Sequence, residues 1–173
     1  MTEPILIQLQ RYVRDLLTHP EQYVKAGRQN FDRQQFELPY IVVDSLSGDV
    51  PLASSTKYDE DVEEMQYSEL VSRAFTFDFY GPTAATLCSR FRLLARSESS
   101  LELQQALNIT VYHPGAATNV KQLTGQQYGE RMQLECQVHY SPSLIVDILR
   151  IDIAQLRIIG ERGLIYELSL IHI

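Results

Sequence analysis

The sequence has no tryptophan and only two cysteines, and its 173 residues include just 8 Gly and 7 Pro. Collagen-like and low-complexity chains are thereby excluded. Cys88 and Cys136 belong to no C-x-x-C pair. They read as two core thiols of a reducing compartment, with a single disulfide as the alternative. No apolar run approaches the roughly 18 residues of a membrane span. The longest, near the C-terminus, are broken by Asp147, Arg150, Asp152 and Arg157. Basic charge is scarce, with 15 Lys and Arg against 22 Asp and Glu, a net charge of −7. Broad phosphate binding through a basic surface is therefore not expected. Met1-Thr2-Glu3-Pro4 lacks a basic start, and Arg11, Arg14 and Asp15 interrupt the next apolar residues, so no secretory signal is expected. These absences predict a soluble protein on the cytosolic side of any membrane.

What remains is an ordinary globular balance, 45% apolar and 21% charged. The length predicts a single domain over residues 1–173, able to bury about two-thirds of its unfolded surface. Ile5, Leu6, Leu9, Tyr12, Val13, Leu16 and Leu17 recur at helical spacing, with Thr2 as the expected cap and His19-Pro20 as the stop. A short second helix is expected over Glu21 to Ala26, closed by Gly27. Arg28 to Glu37 has no period and reads as a loop or mobile arm. Leu38 to Leu46 reads as a buried strand, Ser47-Gly48-Asp49 as a turn, and Val50 to Ser55 as a short strand pairing back.

Met65 to Phe79 alternates, with Met65, Tyr67, Val71, Phe75, Phe77 and Phe79 on one face and Gln66, Ser68, Ser72, Thr76 and Asp78 on the other, the pattern of a half-buried strand. Thr83 is expected to cap a helix to about Arg96, with Ala84, Leu87, Cys88, Phe91 and Leu94 inward and Arg92 and Arg96 suiting the helix dipole. Ser99 and Glu102 suggest a capping box for a second helix. Ile109 to His113 and Thr118 to Leu123 read as strands, and Thr124 to Gly129 as a polar loop. Arg131 to Tyr140 alternates most clearly, with Leu134, Cys136 and Val138 inward. Leu144 to Ile159 and Leu164 onward are strand-like, joined by a hairpin-type connection at Gly160-Glu161-Arg162-Gly163. Leu168–Ile173 spell the in-frame translation of the end of a common transposase-based sequencing adapter. This tail reads as read-through that replaces the natural chain after about Glu167, with a genuine strand, whose alternation it also fits, as the alternative.

Chemistry-bearing motifs are sparse. Asp59, Glu60, Asp61, Glu63 and Glu64 form the densest charge cluster. A calcium loop starting at Asp59 would need Gly and Glu where Glu64 and Leu70 stand, so that reading fails. A solvated loop or a charged contact to a partner accounts for the cluster better. His19, His113, His139 and His172 have no metal-ligand spacing. No nucleophile elbow, Walker loop or dinucleotide fingerprint is present. Asp147 and Asp152 flank Arg150, where cross-strand ion pairing explains them as well as acid–base chemistry. No cofactor, metal or catalytic residue is assigned.

The wording of four stretches resembles the neck-terminator proteins of tailed bacteriophages. They are Tyr40-Ile41-Val42-Val43-Asp44, Phe75-Thr76-Phe77-Asp78-Phe79-Tyr80-Gly81, Leu123-Thr124-Gly125-Gln126-Gln127-Tyr128-Gly129 and Leu149-Arg150-Ile151-Asp152-Ile153-Ala154-Gln155-Leu156. The resemblance spans about residues 5 to 160. It implies an α+β subunit: a mostly antiparallel sheet with an N-terminal helix and a central helix pair packed on one face. It also implies a structural virion protein rather than an enzyme, assembled in the host cytoplasm into a homo-oligomeric, hexameric ring. That ring would close the tail tube and meet neck and connector proteins, with DNA passing through its lumen. The runner-up is another virion ring component, and behind it a cytosolic enzyme or binding domain. Candidate contact residues are Asp59, Glu60, Asp61, Glu63 and Glu64 at the acidic tip, and Thr124, Gln126, Gln127 and Tyr128 in the polar loop. The arm over Arg28 to Glu37 would order on assembly.

Overall fold

A computed structural model describes residues 4–27, 39–59, 61, 63–112, 114–120, 122–124, 127–147, 153–160 and 163–171, with backbone alone for 122–124, 127–129, 153–160 and 163–171. The chain divides into two compact units, Met1–Ser55 with Ser68–Ser143, and Thr56–Tyr67 with Leu144–Ile173.

The first unit opens with helix α1, Ile5–Leu17, whose first turn is held by amides bonding Pro4 O rather than by a side-chain cap. Thr2 lies outside the described residues. The helix stops at Thr18, one residue before the expected His19-Pro20. Thr18 sits in the left-handed region at φ 54°, where a β-branched residue is strained, and the amides of Thr18 and His19 return to Asp15 O and Arg14 O.

The expected second helix is instead a single 3₁₀ turn, Glu21–Tyr23, followed by strand β1, Val24–Ala26. Strand β1 pairs in parallel with β2, Tyr40–Ser45, through Val24↔Ile41 and Ala26↔Val43. Gly27 ends this pairing for a reason other than helix closure. Its amide bonds Val43 O at 2.7 Å, and a Cβ there would lie 2.3 Å from Asp44 Cγ.

Strand β3, Val50–Asp59, pairs with the 17-residue β4, Glu64–Tyr80. Helices α2, Ala84–Leu94, and α3, Glu98–Leu107, come next. Thr83 occupies the cap position of α2 without bonding through its side chain. The cap of α3 is Ser97, two residues before the expected Ser99. Its Oγ donates to Leu94 O and accepts from Ser100 N.

Strands β5, Ile109–Val111, and β6, Thr118–Asn119, pair with β9, Arg131–Tyr140. Between them, β7, Gln122–Thr124, and β8, Gln127–Gly129, form their own hairpin. Strand β10, Ser143–Asp147, pairs with β4. The main sheet has the order β1-β2-β4-β9-β5, and the β2–β4, β4–β9 and β5–β9 pairs are all antiparallel. The α+β class with a mostly antiparallel sheet is thus present. In the second unit, β11, Ile153–Gly160, and β12, Gly163–Ile171, make an antiparallel hairpin closed at Gly160↔Gly163.

The core of the first unit lies between one sheet face and the helices. Lateral pairs Ile41↔Phe79, Val43↔Phe77, Phe77↔Leu134 and Phe75↔Cys136 tile that face. Phe91 of α2 meets Phe77 at 5.1 Å, Phe79 at 5.8 Å and the edge of Tyr12 of α1 at 6.1 Å. These rings, together with Leu9, Val13 and Val138, are sealed from solvent. Burying each such side chain contributes about 1.5–3 kcal/mol.

The other face departs from the half-buried expectation. Thr76 and Asp78 are buried there too, and Asp78 takes a bidentate pair from Arg131 at 3.0 and 3.2 Å. Burial pushes the Asp78 carboxyl up, and Arg131 only partly offsets it. Cys88 and Cys136 are free, buried thiols, so the disulfide alternative falls.

Candidate assembly surfaces

The acidic tip is the connection between β3 and β4. Asp59 ends β3, and its carboxylate accepts the Asp61 amide at 3.1 Å, folding the tip back on itself. Glu63 sits at φ 55°, turning the chain into β4, which Glu64 opens. Asp59 and Asp61 are exposed, Glu63 and Glu64 half-buried. Glu60 lies outside the described residues.

The segment read as a polar loop is mostly strand. Thr124 ends β7, and Gln127 and Tyr128 lie in β8, through Thr124↔Gln127 and Leu123↔Tyr128. Gln126 lies outside the described residues, as does the arm over Arg28 to Glu37. The structure thus gathers the tip carboxylates at one strand connection and puts Thr124, Gln127 and Tyr128 on a separate hairpin.

A third surface escapes the sequence reading. Helix α2 turns Ala84, Cys88 and Phe91 inward, which leaves Arg90 and Leu93 exposed on its outer side, Arg92 exposed on its flank one turn from Cys88, and Arg96 exposed just past its end. Leu93 is 73% exposed. The signal is present in the helical period: residues opposite an inner stripe share an outer face. The helix dipole alone accounts for Arg92 and Arg96 at the level of sequence, and so conceals that face.

Strands β3 and β10 are exposed along their whole lengths, Val50 to 55%, Leu144 to 63% and Ile145 to 56%. Apolar side chains on paired strands with both faces open are the mark of a contact surface.

The residues weighed for catalysis do not converge. The His139 ring packs on Tyr112 at 4.3 Å, and His19 Nε2 lies 3.2 Å from Pro39 O. His113, His172, Arg150 and Asp152 lie outside the described residues, and Asp147 is exposed at the end of β10. One open groove of about 350 Å³ is lined by Arg11, Arg14, Glu21 and Lys25. There Arg14 already holds Asp15 at 2.7 Å and Glu21 at 3.4 Å. Among the described residues no three His, Cys, Asp or Glu side chains are grouped to hold a metal ion, and no helix is long and apolar enough to cross a membrane.

No curated protein matches the chain. A family model described as phage neck terminator protein matches residues 4–162. The match covers β1 to β11, including both strands whose faces are open and the helix with the arginine-rich outer side. The chain therefore belongs to the phage neck terminator protein family, structural proteins of the virion with a tail-terminating role at the head–tail junction.

Proposed function

We propose that this protein forms a closed homo-oligomeric ring, hexameric as the family resemblance implies, that ends the tail tube and joins it to the neck. Its partners are then the tail-tube protein on one side and neck or connector proteins on the other. The observation that carries this reading is the exposure of β3 and β10 on both faces within a chain of the neck terminator family. A subunit that worked alone would leave apolar residues such as Leu144 and Ile145 in water without return.

A ring subunit needs two different surfaces, one for each neighbour, and a rotation that closes. The acidic tip and the β7–β8 hairpin supply two candidates on separate elements. The net charge of −7 suits a lumen through which DNA passes without being gripped, because like charge repels phosphate.

Native masses and negative-stain images over a concentration series test the proposal. Closed rings of one subunit number are expected, alone or on added tail tubes. Replacing Asp59, Asp61 and Glu63 with Ser weakens assembly while leaving the monomer folded. A chain that stays monomeric even when finished tubes are supplied overturns the ring.

A further inference from the structure

Arg90, Arg92 and Arg96 stand apart from Arg14, Arg73 and Arg131. Arg14, Arg73 and Arg131 each hold a carboxylate, of Asp15, Asp49 and Asp78 respectively. Among the described residues, the three arginines in and just after α2 hold none. Arg90 and Arg96 stand three positions either side of Leu93, which at 73% is the most exposed of the large hydrophobic side chains described, while Arg92 stands on the flank of the helix one turn from Cys88. In a chain with 15 basic residues against 22 acidic ones, two unpaired cations three positions either side of a bare leucine, with a third on the helix flank, form an unpartnered helix face.

The chain carries the complement of that face. Its tip presents the exposed carboxylates of Asp59 and Asp61, with Glu63 and Glu64 half-buried beside them, and Tyr58 and Tyr67 on the adjoining strands are 40% and 47% exposed. The tip thus offers carboxylates for the arginines and aromatic surface for Leu93. The dimensions agree. Side chains three apart on a helix, as Arg90 and Leu93 are, stand about 5–6 Å apart at Cβ. Paired strands lie about 4.8 Å apart. One strand of the tip can therefore set a carboxylate on Arg90 while its neighbour covers Leu93.

We propose that the outer face of α2 in one copy receives the β3–β4 tip of the next copy. The inference rests on the ring reading and assigns it one of its subunit contacts. Tip and face are different surfaces, so the contact is heterologous: it leaves a free tip and a free face at each step and propagates until a ring closes. Duplex DNA is the less fitting occupant, because the surrounding chain is net acidic and three cations are few for a phosphate track.

The test uses charge reversal in the full chain. Arg90→Glu, Arg92→Glu and Arg96→Glu together reverse the face. Asp59→Lys, Asp61→Lys and Glu63→Lys together reverse the tip. Facing like charges weaken self-association at least about a hundredfold for either set alone. Combining both sets restores it, because the charges are again opposite. Association of the unaltered chain also weakens as salt rises. Circular dichroism confirms folding, and Arg→Gln at the same three positions replaces the face reversal if that variant fails to fold. A ring that assembles unchanged in both reversed variants overturns this contact and leaves the ring standing. Failure of the unaltered chain to associate, alone or on tail tubes, overturns both. Duplex DNA binding that is lost with the face reversal, while self-association is unchanged, reassigns the face and overturns the contact.

Discussion

Tyr12 of α1 donates a 2.7 Å hydrogen bond to Ser100 of α3, 88 positions along the chain, and both side chains are sealed from solvent. The direction is set by the neighbours. The Ser100 hydroxyl donates its one proton to Ala95 O, and it accepts from both Tyr12 and Gln104 Nε2. Gln104 Oε1 in turn accepts the Val111 amide at 2.7 Å. The network ties α1, the end of α2, α3 and β5 together and leaves no buried side-chain nitrogen or oxygen without a partner among the described residues.

This saturation sets an order of costs. Tyr12→Phe removes one donor and costs about 1–2 kcal/mol. Ser100→Ala strands two buried donors, Tyr12 and Gln104, and costs about 3 kcal/mol. Burial pushes the Tyr12 hydroxyl up to about 12 despite its bond to Ser100. Between its ordinary 10.0 and that value, the unfolded chain loses the proton and the folded one keeps it. Stability therefore falls as pH rises above 10, and Tyr12→Phe reduces that slope. Chemical denaturation from about pH 8 upward, below the ordinary tyrosine range, reads both effects. A Ser100→Ala variant more stable than Tyr12→Phe contradicts the assignment.

The Asp78–Arg131 pair predicts an opposite variant series. Burial raises the Asp78 carboxyl in spite of Arg131, so its folded value lies above its ordinary 3.8. The folded state then binds the proton more tightly, and this group's contribution declines as pH rises from about 3.8 through the folded value. Arg131→Met removes the compensating cation and lifts the folded value further. The variant loses about 2–3 kcal/mol at about pH 7, because it leaves a nearly unpaired buried carboxylate. Its deficit shrinks as the solution is acidified and Asp78 takes up a proton. Thermal melts of both proteins from about pH 4 to about pH 7 measure this, and a deficit constant across that range counts against it.

The two cysteines provide a test of core integrity. Burial pushes Cys136 up to about 12, with Cys88 adding to it, and burial also raises Cys88 against the pull of Arg92. Thiolate is the reactive form. At about pH 8 the native protein should react negligibly with an aromatic disulfide reagent. The protein in guanidinium should react at both cysteines. Rapid labelling of the native protein means that this core opens.

Periodic elements are legible because burial repeats with the backbone. In β9, Leu134, Cys136 and Val138 point inward as their alternation requires, and in α1 so do Leu9, Val13, Leu16 and Leu17. Short elements are legible only in part, as β5 is and β1 is not. Three residues carry no period, so Val24–Ala26 looks like the end of a helix closed by Gly27, while tertiary pairing makes it a parallel strand. Burial on both faces erases alternation as a guide, which is why polarity alone puts Thr76 and Asp78 in water although both are buried. The tip is legible from charge density alone. The α2 face is hidden because three arginines spread over seven residues are not a run, and only the helical turn brings Arg90 and Arg96 beside Leu93.

The place of this chain in the virion is tested most directly by labelling. Phage particles carrying an epitope-tagged copy can be imaged with gold-conjugated antibody. Gold is expected at the junction of head and tail, with tail tubes of normal length. Gold on the capsid shell or at the distal tip of the tail, or particles that contain none of the chain, contradicts a tail-terminating role.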